Sequence, residues 1–432
     1  MKIKMKLMLI AFTFTVLVVG FRKFEEEFGS VIYKSLVILD NLTSRFQIRF
    51  DETQDYLPSF VIIPGVNLFV YSAVVDVPAS DDQILDVRIA VWDASDVTDF
   101  ACCFTSSGSA KVFSTRSQMK SYYRLPMMTY YARQYSCIVS KSINPIEVFF
   151  SATSCDILPS KNVPVVFPEI SREDTAFCIK VAFGFVEPEH IVEFFEIHRI
   201  LGVKKFLIHN LNFDKDSLNV LKHYEQAGFL EIVPIDFPGS TSERQKKIRY
   251  KLPLLADAQV AVYDCIERLS GYQFVGIIDF DEILLPSNKY KNIPHLLKYW
   301  SNLYSNAASF TFGVENFMSN WNESNVNSSL HFMRYIYRDV ALYDRPKCVH
   351  IPGRVSFVWT HDALPLPTYK KYRIPFNAGI IHHYRKCRRH ISEDKCLNRI
   401  LRYKDEDLLP MEHQLSTAVK TVLRDLDIAE SF

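Results

Sequence analysis

Glycine is scarce in this chain, with 13 residues in 432. No GxGxxG or GxxxxGK[ST] follows a strand-like run, which excludes the two common backbone cradles for phosphate. Closely spaced cysteine pairs are missing too. The nine cysteines, at 102, 103, 137, 155, 178, 265, 348, 387 and 396, include no CxxC, so no zinc-binding spacing appears. Charge of one sign is also lacking: 50 basic against 49 acidic side chains argues against a general nucleic-acid binder. Repeats and low-complexity tracts are absent. Beyond the amino terminus, no apolar run is long enough to span a membrane.

What is present starts with the core. At 48% hydrophobic and 14% aromatic, a chain of this length can bury a large interior and form two domains. Lys2, Lys4 and Lys6 precede the uncharged run from Leu7 to Phe21, and Arg22 and Lys23 return to polar sequence. Lysines ahead of an apolar stretch hold the terminus in the cytosol and send the remainder into the secretory lumen. The run is shorter than the ~20 residues of a usual span. An uncleaved signal-anchor is the reading preferred over a cleaved signal peptide. Asn41, Asn322 and Asn327 open glycosylation tripeptides compatible with a lumen. A luminal chain would oxidise some cysteines, with Cys102 or Cys103 pairing with Cys137, and the odd total leaves a thiol over.

The pattern divides the chain into a cytosolic tail and membrane helix (1–23), a stem (24–56), a β-rich domain (57–160), an α/β domain (170–400) and a helical tail (401–432). The β-rich part rests on short runs such as Leu68 to Val75 and Val87 to Trp92. After Pro168 the period changes. Strands are expected at 177–185, 205–210, 229–233 and 272–279. Helices are expected from Pro188 to Gly202, from Ser217 to Gln226 and from Leu254 to Leu269. Such alternation predicts an α/β fold whose central sheet is mixed but mostly parallel, with ligands at the carboxyl ends of strands.

The last of those strands ends in Asp279, Phe280, Asp281 and Glu282. Three carboxylates within four residues repel one another unless a positive charge joins them, and oxygen ligands suit Mn²⁺ or Mg²⁺. An Asp-x-Asp at a strand end is how many sugar-nucleotide-dependent glycosyltransferases hold the metal that neutralises the donor diphosphate. Phosphohydrolases that form an aspartyl-phosphate also use Asp-x-Asp. In them it ends the first strand, and a Thr or Val follows two residues after the second Asp, where this chain has Ile283.

An ordered set of segments carries a resemblance. Phe177 to Ile179, Phe194 to Asn210, Leu221 to Gly228, Tyr263 to Arg268, Ile278 to Glu282, Lys347 to Val355, His361, and His382 to Arg385 together resemble glycosyltransferase family 92 over about residues 170–390. The resemblance implies a GT-A nucleotide-sugar-binding domain in a single-pass type II membrane protein of the Golgi or secretory lumen. It also implies inverting transfer of a hexose, galactose from UDP-galactose first, onto a glycan. Asp281 then matches a direct metal ligand, Asp279 a ligand of the donor ribose or of the metal through water, and His383 a further metal or diphosphate ligand. Arg385 could clamp diphosphate. Lys347 and His361 match family positions, and Lys347 is counted with the residues expected to bind the donor. Asn210 could touch uracil or ribose, or cap the next turn. Glu315 and Asp362 are the candidates for the general base that deprotonates the acceptor hydroxyl, with Asp344 behind them. A membrane-tethered glycan-binding protein that kept the fold without the activity is the alternative reading. Oligomerisation is left open.

Overall fold

The computed structural model describes residues 59–428 except positions 64, 79–82, 96, 98, 108, 124–129, 157–160, 239–257, 322–327 and 388–393. The amino-terminal apolar run, the stem and the asparagines of all three glycosylation tripeptides fall outside the described residues. So does the first part of the helix expected from Leu254. Among the described residues no helix is long and apolar enough to cross a membrane.

The first domain is a barrel. Its strands are β1 (Val61–Ile62), β2 (Leu68–Val75), β3 (Ile84–Asp93), β4 (Ala101–Ser106), β5 (Ser109–Tyr123), β6 (Tyr131–Ser140), β7 (Pro145–Ser151) and β8 (Val163–Val166). They pair in the order β1-β2-β3-β6-β5-β4-β7-β8, and a β2–β8 pairing closes the ring. β2 and β3 read as continuous apolar runs because both of their faces are covered. Val70, Ala73, Val87, Ile89 and Val91 fill the barrel, whereas Tyr71, Ala90 and Trp92 point outward into a core shared with the second domain. Two disulfides brace the barrel: Cys102–Cys137, one of the two pairings expected, and Cys103–Cys155.

The second domain alternates strand and helix as its periodicity predicts. β9 (Ser171–Gly184), α1 (Pro188–Ile200), β10 (Lys205–Phe213), α2 (Lys215–Gln226), β11 (Leu230–Pro234), α3 (Gln259–Arg268) and β12 (Tyr272–Ile277) form its first half. Pro188 opens α1, and Gly202 with φ +86° follows its end. Asp214 caps α2, its side chain accepting from the amides of Asp216 and Ser217. The second half comprises β13 (Glu282–Pro286), α4 (Ile293–Leu303), β14 (Ala307–Met318), the short α5 (His331–Arg334), β15 (Tyr337–Arg338) and β16 (Leu342–His350). β17 (Val355–Trp359), β18 (Asp362–Pro365), β19 (Lys370–Arg373), β20 (Gly379–Arg385), β21 (Tyr403–Lys404) and α6 (Glu412–Asp425) complete it.

The main sheet has eleven strands. β11, β10, β9 and β12 run parallel, whereas β16 is antiparallel to both β12 and β14. The expectation of a mostly parallel sheet is therefore corrected. Parallel and antiparallel pairings are evenly mixed, because strands of the second half pair in both directions with partners distant in sequence. One face packs against α1, α2, α4 and α6, while the other carries α3 and the barrel.

Apolar contact joins the two domains, and a polar cluster of the second domain lies at the junction, where a barrel hydroxyl reaches it. His209 Nε2 lies 2.8 Å from Asp264 Oδ2, Arg268 bonds Asp264 and Glu231, and Tyr71 of the barrel donates to the Pro234 carbonyl beside them. Cys265 is tied to Cys178. Of the nine cysteines, Cys348 alone is free.

Candidate active site

The acidic motif is shaped by what lies between its aspartates. β12 runs beside β9 at such close approach that a Cβ on Gly276 would sit 2.3 Å from Phe177 Cε1. Past Ile277 the chain turns at once. The Glu282 amide donates to the Asp279 carbonyl (3.1 Å), and Glu282 Oε2 accepts from the Asp279 amide (2.9 Å). Phe280 packs against Phe194, Phe195 and Phe213. That aromatic anchor turns its neighbours outward, so the side chains of Asp279 and Asp281 are 41% and 49% exposed. Glu282 is buried where the chain re-enters the sheet as β13.

A metal is not the sole source of positive charge against which these carboxylates can be set. The structure supplies part of that charge from within the chain. Lys347 of β16, itself buried, places Nζ 2.9 Å from Asp279 Oδ2 and 2.6 Å from Glu282 Oε2. Burial would depress that ammonium, but Asp279 and Glu282 raise it above its ordinary range. Burial would likewise raise Asp279, yet Lys347 and Lys180 hold it well below the usual carboxylate range. Glu282 is pushed up by burial, with Lys347 offsetting part of that and Asp279 adding to it.

Asp281 faces a different partner. β20 pairs with β13 so that His383 lies opposite Glu282, and its Nε2 comes within 3.2 Å of Asp281 Oδ2. The other ring nitrogen lies 3.7 Å from Glu282 Oε1. Asp281, Glu282 and His383 offer ligand atoms that all lie within 4.8 Å of one another. This donor set fits a divalent cation. Two groups with an exposed face, a carboxylate and an imidazole, would hold it, with Glu282 behind the ring, an arrangement that fixes the orientation of a ligating histidine.

A strand-borne acidic turn meeting a late histidine is what the resemblance implied, and the comparison with known families agrees. The model of glycosyltransferase family 92 matches residues 173–419. The chain belongs to glycosyltransferase family 92. Among curated proteins none matches it. The family match runs past position 400 into α6, which packs on α1, so part of the expected helical tail lies within the family domain.

Within this family-92 domain the other sequence-nominated residues are distributed unevenly. Lys347, nominated for the donor, is occupied with Asp279 and Glu282. Asn210, nominated for uracil or ribose, uses its Oδ1 to accept from the amides of Asn212 (3.1 Å) and Phe213 (2.9 Å), which is the capping alternative. Arg385 ends β20, and its Nε lies 3.4 Å from the Lys386 carbonyl. Neither candidate base is poised to take a proton. Glu315 is buried on the opposite face of the sheet, its Oε2 2.9 Å from Arg338 Nε and its Oε1 3.0 Å from His382 Nε2. Asp362 has both oxygens on Lys371 Nζ, at 2.8 and 2.6 Å.

Three residues near the edge were not expected at a ligand site. Lys180 of β9 follows Cys178, the last residue paired with β12, by two positions, and Asp279 is within electrostatic range of it. Arg345 sits at an irregularity of β16 with φ +53°, and a guanidinium nitrogen lies 3.3 Å from His361 Nε2. Thr360, in the turn between β17 and β18, accepts a hydrogen bond from Lys180 Nζ at 3.0 Å. Strand register and a bulge bring these residues together, and neither is visible as a motif.

Proposed function

We propose that this protein is a metal-dependent, inverting glycosyltransferase moving a hexose, galactose from UDP-galactose first, onto a glycan acceptor. The carrying observation is the convergence of Asp281 and His383 at the carboxyl end of β12 inside a family-92 domain. Asp281 and His383 would hold Mn²⁺ or Mg²⁺, with Glu282 steadying the imidazole and Lys347 fixing Asp279 and Glu282. A bound divalent ion there supplies Lewis-acid stabilisation of the departing diphosphate. Phe280 keeps the turn rigid, so both aspartates present their oxygens at low reorganisation cost.

The test is release of UDP from UDP-galactose by the purified full-length chain, with and without Mn²⁺ and a glycan acceptor. Metal-dependent release that rises with acceptor is expected. Glycan binding with no release under any condition would instead identify a silent binding protein.

We also propose a type II membrane protein with its catalytic domain in the secretory lumen. The lysine-flanked apolar run supports this, and so do four disulfides, which persist in oxidising compartments. A mobility shift on removal of N-glycans from the expressed chain is expected; its absence would count against the luminal address.

A further inference from the structure

We infer that Lys180 and Arg345, the latter held by His361, form a binding site for the pyrophosphate of a nucleoside diphosphate on the wall of the acidic edge. This rests on the transferase reading and names groups that would meet the donor's phosphates.

Three observations carry it. Lys180 is partly buried, and its hydrogen bond goes to the neutral Thr360 hydroxyl. Among the described residues it has no ion-pair partner, although Asp279, Glu282, Lys347 and Arg345 all lie within electrostatic range of it. Burial, together with Lys347 and Arg345, holds its ammonium below the usual lysine range, with Asp279 and Glu282 offsetting only part of this. A cation so placed gains from an arriving anion.

The second observation is that Arg345 is held in place. His361 Nδ1 lies 3.1 Å from the Pro346 carbonyl, an arrangement that puts the ring proton on Nδ1 and leaves Nε2 to accept from Arg345. Burial, with Lys347 adding to it, lowers His361 to about 4, so the ring stays neutral and keeps this acceptor at physiological pH. The left-handed backbone at Arg345, at an irregularity of β16, re-aims the side chain out of the strand.

The third observation is the balance of charge. Asp279, Asp281 and Glu282 stand against Lys180, Arg345 and Lys347, so the formal charges of these side chains match three to three before any ligand arrives. A divalent cation on Asp281 and His383 would leave two positive charges. A pyrophosphate diester carries about two negative ones; a nucleoside monophosphate is also close to a dianion at neutral pH, so it differs by reach, having no second phosphate to set against Lys180 and Arg345. The site therefore favours a diphosphate donor.

The experiment compares UDP with UMP by calorimetry on the purified full-length chain in the presence of Mn²⁺. The variants are Lys180→Met, Arg345→Met and Lys180→Arg. Lys180→Met is expected to weaken UDP tenfold or more and UMP less than twofold. Arg345→Met, at an exposed position where folding is not at stake, is expected to weaken UDP about threefold to tenfold by the usual worth of a charge-assisted hydrogen bond. Lys180→Arg should recover most of the UDP affinity. The inference is overturned if both methionine variants bind UDP within twofold of the parent chain, or if UMP weakens as much as UDP. If the parent chain binds neither nucleotide with or without metal, the transferase reading itself falls. If it binds UDP and the variants do not differ, only this inference falls.

Discussion

β20 carries two histidines in succession, and each meets carboxylates on its own face of the sheet. His383 faces Asp281 and Glu282, while His382 faces Glu315, with Asp405 completing a group of ligand-type atoms within 4.8 Å. By composition the two clusters are alike. They differ in where the positive charge comes from. In the His382 cluster Arg338 bridges Glu315 and Asp405 with both contacts at 2.9 Å, and aromatic rings of Phe317 and Tyr384 close over the imidazole. The acids of that cluster are paired within the chain, and Glu315 and His382 are sealed from solvent, although neither ring nitrogen of His382 has a hydrogen bond of good geometry. In the His383 cluster Lys347 satisfies Asp279 and Glu282 but leaves Asp281 half exposed beside an imidazole. Acids and histidines alone do not make a ligand site. A ligand site keeps one member of the cluster open to what is missing.

The sharpest way to break that comparison is to neutralise the open carboxylate. Asp281→Asn is expected to lower UDP-galactose turnover by roughly a thousandfold or more, because a metal held by one imidazole is held poorly. Its melting temperature should stay within about a degree, since a half-exposed carboxylate contributes little to folding. Full activity in this variant, measured as UDP release, would remove Asp281 from the metal site.

The next effect falls on the internal cations. Lys347→Met leaves Asp279 and the buried Glu282 without their shared partner, and an unpaired buried charge typically costs about 3–5 kcal/mol. Arg338→Met does the same to Glu315 and Asp405, at a similar or slightly smaller cost because Arg338 is partly exposed. The comparison predicts different rescue. Added Mn²⁺ should raise the melting temperature of Lys347→Met more than that of the parent chain, since its acid cluster opens to the site, and should leave Arg338→Met unchanged. Equal rescue in both variants, read by thermal denaturation, would erase the distinction between open and sealed.

Much of this was legible in the sequence, for reasons that differ by element. The alternation from β9 to β12 follows from apolar period, from Pro188 and from Gly202, all local signals. The acidic turn was legible because carboxylates ending an apolar strand are costly and therefore conspicuous. The half-parallel sheet was misjudged because strands of the second half pair in both directions with partners distant in sequence. Glu315 and Asp362 looked like candidate bases because a carboxylate near a motif is indistinguishable, in one dimension, from one that has already found Arg338 or Lys371. In the sequence Lys180 is one lysine inside an apolar run, with no neighbouring motif to mark it. Only the pairing of β9 with β12 brings it within electrostatic range of Asp279.

A smaller effect sits at the junction with the barrel, away from both clusters. Burial would push Asp264 up, but Arg268 and the hydrogen bond from His209 outweigh it and hold the carboxyl at about 2 against an ordinary 3.8. A carboxyl depressed on folding stabilises the protein above its unfolded-state value and loses that contribution as pH falls through its folded value. About 2 kcal/mol of stability should therefore vanish between about pH 4 and pH 2. Asp264→Asn should remove that segment of the profile in urea denaturation. A slope in this window that survives the substitution would point to other carboxylates.

The smallest expected effect tests the comparison from its other side. Asp362 is a carboxylate near the site whose cation is internal and solvent-facing: Lys371 holds both oxygens, and the two side chains are 29% and 41% exposed. An exposed pair of this kind contributes at most about 1 kcal/mol. A group already engaged by an ammonium is a weak acceptor for a proton leaving a sugar hydroxyl. Asp362→Asn should therefore keep kcat and both KM values within twofold, with a melting temperature near that of the parent chain. If kcat instead collapses while donor binding holds, then an internally paired carboxylate does take part in the chemistry, Lys371 must release it when acceptor binds, and the division between sealed and open acids fails at this position.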